Sequence, residues 1–288
     1  MNKVFSYKDA FSRNLGWLSE VEQQTIKNHT VSIAGVGGVG GQYAEMLARL
    51  GVSKFKLAEF DTFEIQNFNR QNGSGISTIG KSKIEVIQSL ILDINPDAEI
   101  EIFKLGVTVE NVDAFLANSS IYLDGLDFFV LDIREILFKK CREKNITAIT
   151  VAPVGMGASM VIFNSTSMSF ENYFGLHVSN NQFEKNVRFL LGLTPTLIQS
   201  KYLVDKTKSD FQNKKAPSLA IGPYLCAGVM GAQILKVLLN RGQLQVAPWS
   251  LHYDAYLNTY KKKYIWGGFK NPFQIIKFYI LKKMLEAK

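Results

Sequence analysis

The sequence predicts an α/β fold: a Rossmann-like, mainly parallel sheet with helices on both faces, extended at its C-terminal end by further strands and a helix. Three observations predict it. Runs rich in β-formers alternate with helical runs from Thr30 to Val151. The glycine cluster Gly35-Val36-Gly37-Gly38-Val39-Gly40 stands where the first strand gives way to a helix. An acidic residue, Glu59, ends the strand after that.

Ser19-Glu20-Val21-Glu22 is a capping box, in which the Ser hydroxyl and the Glu carboxylate satisfy each other's backbone N–H groups. A short helix follows to about Asn28. Thr30–Ala34 is β-rich, and Gln42–Leu50 suits a helix that Gly51 stops. A second strand, Lys54–Ala58, leads into Glu59-Phe60-Asp61. Helix is expected over Lys81–Ile94, halted by Asn95-Pro96, with strand at Glu99–Phe103. Helix Val109–Leu116, strand Ile121–Leu123, helix Val130–Glu143 and strand Thr147–Val151 continue the alternation. Such a rhythm is that of right-handed crossovers between parallel strands.

After Pro153 the rhythm changes. Ser159–Phe163 reads as a strand, and residues 165–217 as an irregular, partly helical stretch carrying His177, Lys201, Lys206, Lys208, Lys214 and Lys215. An apolar helix over Ser218–Leu239 and strands around Ser250–Tyr253 and Leu257–Tyr264 complete the order. The apolar helix approaches membrane-span length, but its glycines, Pro223 and Gln233 favour a buried helix, and no transmembrane segment is expected.

Composition excludes several classes. The 288 residues are 47% hydrophobic and 20% charged with 7 Pro, so a large core is affordable and disorder is not the default. Two cysteines, Cys141 and Cys226, allow no disulfide framework and no four-cysteine zinc site in one chain. The N-terminal residues lack the apolar run of a signal peptide, so a reducing, cytoplasmic setting is expected. The net charge of +8 favours anionic partners such as nucleotides, nucleic acid or acidic lipid.

Gly35-x-Gly37-x-x-Gly40 permits a tight turn and lets the backbone approach a phosphate at a helix N-terminus. Glu59 stands where a ribose hydroxyl needs an acceptor. These features alone equally suit an NAD-dependent oxidoreductase. The next segments discriminate: Asp61, then Asn67-Phe68-Asn69-Arg70-Gln71, then Gly80-Lys81-Ser82-Lys83, then Asp124-Gly125-Leu126-Asp127. In this order and spacing they resemble the ThiF/MoeB/HesA superfamily, which includes the activating enzymes of ubiquitin-like proteins, from about Arg13 to Tyr264.

The resemblance implies a single adenylation domain over 1–288 with ATP and magnesium as cofactors. Residues 1–153 would be the nucleotide-binding half and 154–264 a crossover segment, a dimer helix and C-terminal strands; 265–288 form a basic amphipathic tail. It implies attack of a carboxylate on the α-phosphate of ATP, with pyrophosphate released. Gly35, Gly37, Gly38 and Gly40 would line the phosphates, Glu59 would hold the ribose, Asp61 would rank behind it among the cofactor-binding residues, and Asn67 and Gln71 would add polar contacts. Arg70 and Lys83 would neutralise charge on the phosphates, and Asp127 would orient magnesium. Arg13 would reach the partner's nucleotide in a homodimer. Expected substrates are a peptide or ubiquitin-like C-terminus or a small acid.

The pattern also departs from the family. Glu59 stands where Asp is usual, and Phe128 where many relatives have Asn. The paired Cys-x-x-Cys motifs are missing, so no zinc is expected, and no cysteine lies between Pro153 and Ser218 to carry a thioester. A tRNA- or small-molecule-modifying dehydratase of the same superfamily is the alternative, with lysines of 201–215 serving RNA phosphates. A non-catalytic interaction module would leave Arg70, Lys83 and Asp127 without roles. Other residues read as structural: Asp61 as a turn cap, Cys141 and Cys226 as core, His29 as a surface turn, with His177 and His252 unassigned. The tail helix after Asn271-Pro272 suggests its own domain, a partner or a membrane surface as its contact.

Overall fold

The computed structural model describes residues 4–286 except 212 and 214, so Lys214 and the last two residues of the tail lie outside the described residues. Two compact units emerge: residues up to 126 with 227–244, and residues 127–226 with 245–288. Among the described residues there are eight strands, four in each unit.

The first unit holds α1 (Tyr7–Ala10), α2 (Glu20–Asn28), β1 (Thr30–Ala34), α3 (Gly40–Leu50), β2 (Lys54–Ala58), α4 (Lys83–Ile94), β3 (Glu99–Phe103), α5 (Val112–Leu116) and β4 (Ile121–Asp124). Its strands lie in the order β3-β2-β1-β4, and every pair is parallel. Each crossover carries a helix, which is why β1 and β4 are buried and read as near-continuous apolar runs. Ile33, Leu47, Leu57, Ile87, Ile91 and Phe115 form the fully buried core. The expected capping box opens α2: the Glu22 N–H donates to Ser19 Oγ at 3.1 Å and the Ser19 N–H to Glu22 Oε2 at 2.8 Å. His29 does more than turn the chain, because its Nδ1 lies 2.8 Å from Ser120 Oγ at the entry to β4.

The second unit holds α6 (Asp132–Glu143), β5 (Thr147–Val154), β6 (Gly157–Phe163), α7 (Phe170–Phe174), α8 (Gln182–Leu193), β7 (Trp249–Asp254), β8 (Thr259–Tyr264) and α10 (Pro272–Glu286). Its order is β5-β6-β7-β8, antiparallel throughout. The expected fifth strand is present as β5 and is longer than Thr147–Val151. It continues past Val151 to a tight hairpin at Gly155-Met156 and returns as β6. The stretch expected to be irregular and partly helical contains α7 and α8, and they bring an aromatic core. Phe138 stacks on Phe170 at 4.5 Å between ring centres, and Phe174 meets Phe189 at 4.9 Å, both within the preferred range for ring pairs.

One helix, α9 (Ile221–Leu238), is long and apolar enough to cross a membrane by length and composition, and half of it is buried within the protein. Cys226 on α9 and Cys141 on α6 are buried, and burial pushes both thiols up from their ordinary range. Inside the second unit, α10 lays Phe278, Leu281 and Leu285 against Val187 and Leu191. Lys282 Nζ donates to Glu184 Oε1 at 2.7 Å, and Lys277 Nζ to the Pro195 carbonyl at 2.7 Å. The Asn180 N–H and Lys282 hold the Glu184 carboxyl down at about 2.

Candidate nucleotide site

The glycine turn is built by backbone packing. Gly35 sits in the left-handed region at φ +81°, and a Cβ there would overlap the Gly125 carbonyl. A Cβ on Gly40 would overlap the Gly35 carbonyl oxygen, and one on Gly125 would meet the same oxygen. These three glycines therefore close the turn between β1, β4 and α3. Gly37 and Gly38 differ. A Cβ on Gly37 would make only ordinary contact with the Gln71 amide, and one on Gly38 would meet nothing within 4 Å. Their openness suits a backbone that a ligand approaches, just ahead of the first N–H groups of α3.

Glu59 is 8% exposed and organises this turn. Its Oε2 accepts from the Val36 N–H at 3.2 Å, and its Oε1 from the Phe60 and Asp61 N–H groups at 2.9 and 3.1 Å. A carboxylate has about four acceptor positions, so about one remains for a hydroxyl. Glu59→Ala strips three backbone donors of their acceptor. It is expected to lower the unfolding free energy by about 2–4 kcal/mol, read by urea denaturation.

Lys83 opens α4, and its amine is brought inward by a laced loop. The Phe63 N–H donates to the Lys81 carbonyl at 3.0 Å, the Gly80 N–H to the Phe63 carbonyl at 2.8 Å, and the Lys83 N–H to the Asp61 carbonyl at 3.0 Å. The Lys83 ammonium then meets Asp61 Oδ2 at 3.1 Å. The lysine side chain is buried at 7% exposure, while Asp61 is 52% exposed. Asp61 is thus more than a turn cap: it is the partner that holds Lys83.

Asn67-Phe68-Asn69-Arg70-Gln71 forms a compact turn. Asn67 is buried, and its Oδ1 accepts from the Glu64 N–H at 2.9 Å. The Arg70 and Gln71 N–H groups both donate to the Asn67 carbonyl. Arg70 is partly exposed, with its Nη1 donating to the Gln66 carbonyl and to Asn69 Oδ1, each at 2.9 Å. Two residues not singled out by sequence pin this turn to α3. Gln42 Nε2 donates to the Arg70 carbonyl at 3.3 Å, and Asn72 Nδ2 to Glu45 Oε2 at 2.7 Å. Beside the glycines, the amide oxygens of Gln42 and Gln71 are buried without a hydrogen-bond partner. Buried amide oxygens normally find a donor, so both are acceptors suited to a ligand hydroxyl or amine.

Arg13 is exposed on the turn Ser12–Asn14, and makes none of the contacts that join these residues. Asp127 opens the second unit, where its Oδ1 accepts from the Phe129 N–H at 2.9 Å. Buried Arg134 fixes the backbone there, donating to the carbonyls of Asp127, Phe128 and Val130 at 3.0, 3.4 and 2.7 Å. Phe128 packs on Phe129, Phe189 and Phe211 instead of offering a polar group. Among the described residues, no group of three or more His, Cys, Asp or Glu is placed to hold a metal ion.

Parallel strands, a glycine turn at a helix N-terminus, an acceptor at the end of the next strand and a buried lysine define a nucleotide-binding α/β unit. The chain belongs to the ThiF family, whose model matches residues 11–265; these are adenylating, E1-like enzymes that use ATP. A relative from Bacillus subtilis (strain 168), tRNA threonylcarbamoyladenosine dehydratase, is 37% identical over 150 residues, covering 52% of this chain and 57% of its own. Ubiquitin-like modifier-activating enzyme 5 of Caenorhabditis briggsae is 28% identical over 257 residues, covering 85% of this chain and 52% of its own. The chain thus spans about half the length of the curated relatives it matches. The crystal structure of PaaA shares the fold with a TM-score of 0.70 and 18% identity, over 92% of this chain and 86% of that one.

Proposed function

We propose that this chain uses ATP to adenylate a carboxylate, a peptide or ubiquitin-like C-terminus or a small acid, and passes it on without a cysteine thioester. The observation that carries the reading is the Lys83–Asp61 pair set beside the Glu59-held glycine turn. ATP supplies an electrophilic α-phosphate and a pyrophosphate leaving group. The chain's own part is positional and electrostatic. Open glycines 37 and 38 and the N-terminus of α3 accept negative charge, and the remaining acceptor position of Glu59 takes a ribose hydroxyl. Gln42 and Gln71 offer acceptors nearby, while Lys83 and Arg70 offset charge on the phosphates. Asp127, on its place in the sequence pattern, would hold magnesium, an ion that needs only one or two carboxylates beside phosphate oxygens.

Both thiols being buried supports direct transfer from the adenylate to its acceptor. Arg13, exposed near the N-terminus, is the residue proposed to serve a homodimer partner's nucleotide. The Bacillus subtilis relative favours a second reading, an adenylating dehydratase acting on tRNA, with the same residues at the ATP site.

Thermal unfolding tests the ATP reading. At about 100 times its dissociation constant, magnesium-ATP should add about 2.7 kcal/mol, a shift of several degrees, and NAD(H) none. A shift with NAD(H) alone would replace adenylation by hydride transfer. Pyrophosphate exchange with a C-terminal peptide, a small acid or a threonylcarbamoyl-tRNA then separates the two adenylation readings.

A further inference from the structure

The tail helix α10 has two apolar faces, and the second unit uses only one. Phe278, Leu281 and Leu285 pack inward. Phe273, Ile276, Ile280 and Met284, spaced three and four apart, form a second stripe that is 68, 56, 56 and 53% exposed. Tyr279 on the same helix and Trp266 ahead of it are also more than half exposed. A stripe of this length, about three turns, is more than the scattered exposed side chains any surface tolerates.

The charges around it are mostly positive. From Thr259 to Glu286 the chain carries seven lysines and one glutamate. Lys282 is committed to Glu184 and Glu286, whereas Lys261, Lys263, Lys270 and Lys283 are exposed. Lys277, on the flank of the stripe, donates to the Pro195 carbonyl, and burial first, then the charge of Lys263 on β8, lowers its amine from the ordinary range. Lys261 and Lys263 alternate onto one face of β8, and Lys270 and Lys283 stand just before and near the end of the stripe's helix. A second copy meeting this face across a two-fold axis would set lysines against lysines. An apolar stripe edged by lysines and by Trp and Tyr matches the boundary of an anionic bilayer, where apolar groups sink below the headgroups and ammonium groups meet phosphates.

We infer that α10 and β8 form a membrane-surface dock: the stripe Phe273-Ile276-Ile280-Met284 lies in the interface of an anionic phospholipid bilayer, with Lys261, Lys263, Lys270 and Lys283 on its headgroups.

Flotation with vesicles tests it, using phosphatidylcholine alone or mixed with one-third phosphatidylserine. The chain should float with the anionic vesicles at low salt, and at least about tenfold less with neutral vesicles or at high salt. Ile276→Glu/Ile280→Glu and Lys261→Glu/Lys263→Glu should each lower binding about tenfold or more, with unchanged thermal midpoints since all four side chains are exposed. Tryptophan emission should move to the blue on anionic vesicles, and not in Trp266→Phe. Absence of flotation overturns the inference, as does flotation that neither double variant weakens. A dimer in sedimentation that Ile276→Glu/Ile280→Glu abolishes, without vesicle binding, assigns the stripe to a second copy and overturns it too.

Discussion

Lys83→Ala is expected to lower pyrophosphate exchange on the order of 10²–10³-fold while leaving the fold in place. The size follows from removing one preorganised cation from a site where charge develops in the transition state. Its location inside the protein makes the loss larger than at a surface, because water does not screen the ammonium there. Stability is another matter. The partner left behind, Asp61, is half exposed and rehydrates, so the ion pair itself contributes little to folding. Lys83→Met separates the two effects, since it keeps the buried stem and deletes the charge. Exchange should fall as far as in Lys83→Ala, with a thermal midpoint nearer wild type. If Lys83→Met retains wild-type exchange, the lysine is a packing residue and the assignment of charge neutralisation is lost.

Gly40→Ala is expected to be the most damaging single methyl group in the first unit. The added carbon would overlap the Gly35 carbonyl oxygen, and backbone cannot step aside as a flexible side chain can. Unfolding free energy should drop by about 3–5 kcal/mol, within the range of severe single substitutions, and the ATP-dependent stabilisation should vanish with it. Gly125→Ala strikes the same oxygen from β4 and should act alike. Gly38→Ala is the control from within the same motif. It meets nothing in the protein, so its stability should change by no more than about 0.5 kcal/mol, while nucleotide binding weakens if the backbone there faces phosphate. Urea denaturation of the three variants, with and without magnesium-ATP, sorts closure of the turn from contact with the ligand. Equal destabilisation by Gly38→Ala and Gly40→Ala contradicts this division.

Much of this was legible in the order of residue types. Strands β1 and β4 announce themselves because strands buried on both faces are written in near-continuous apolar runs, while β2 and β3 show through their alternation of charged and apolar residues. The capping box fixes the start of α2 through local chemistry alone, and its two hydrogen bonds are present as expected. The change after the fifth strand was legible, but not the hairpin that makes it. Thr147–Val151 is as β-rich as its predecessors, and only the turn at Gly155-Met156 makes its partner antiparallel. Partners set by tertiary approach were equally hidden. Gln42 reads as one polar residue in a helix, and its bond to the Arg70 carbonyl depends on a turn 28 residues away. Arg134 looks like a surface charge on α6, yet it is 2% exposed and spans three carbonyls. Asp61 passes for a turn cap because nothing local reveals that Lys83 will fold back onto it.

The carboxylate of Glu59 joins parts of the molecule that would otherwise report separately. One of its oxygens holds Val36 inside the glycine turn, and the other holds the backbone of Asp61, whose side chain grips Lys83. Turn and ammonium are therefore two ends of one short relay, and what steadies either end steadies the other. By reciprocity of linked equilibria, the factor by which an occupant of the turn raises the affinity of the lysine for an anion is the factor by which that anion raises the affinity of the turn for its occupant.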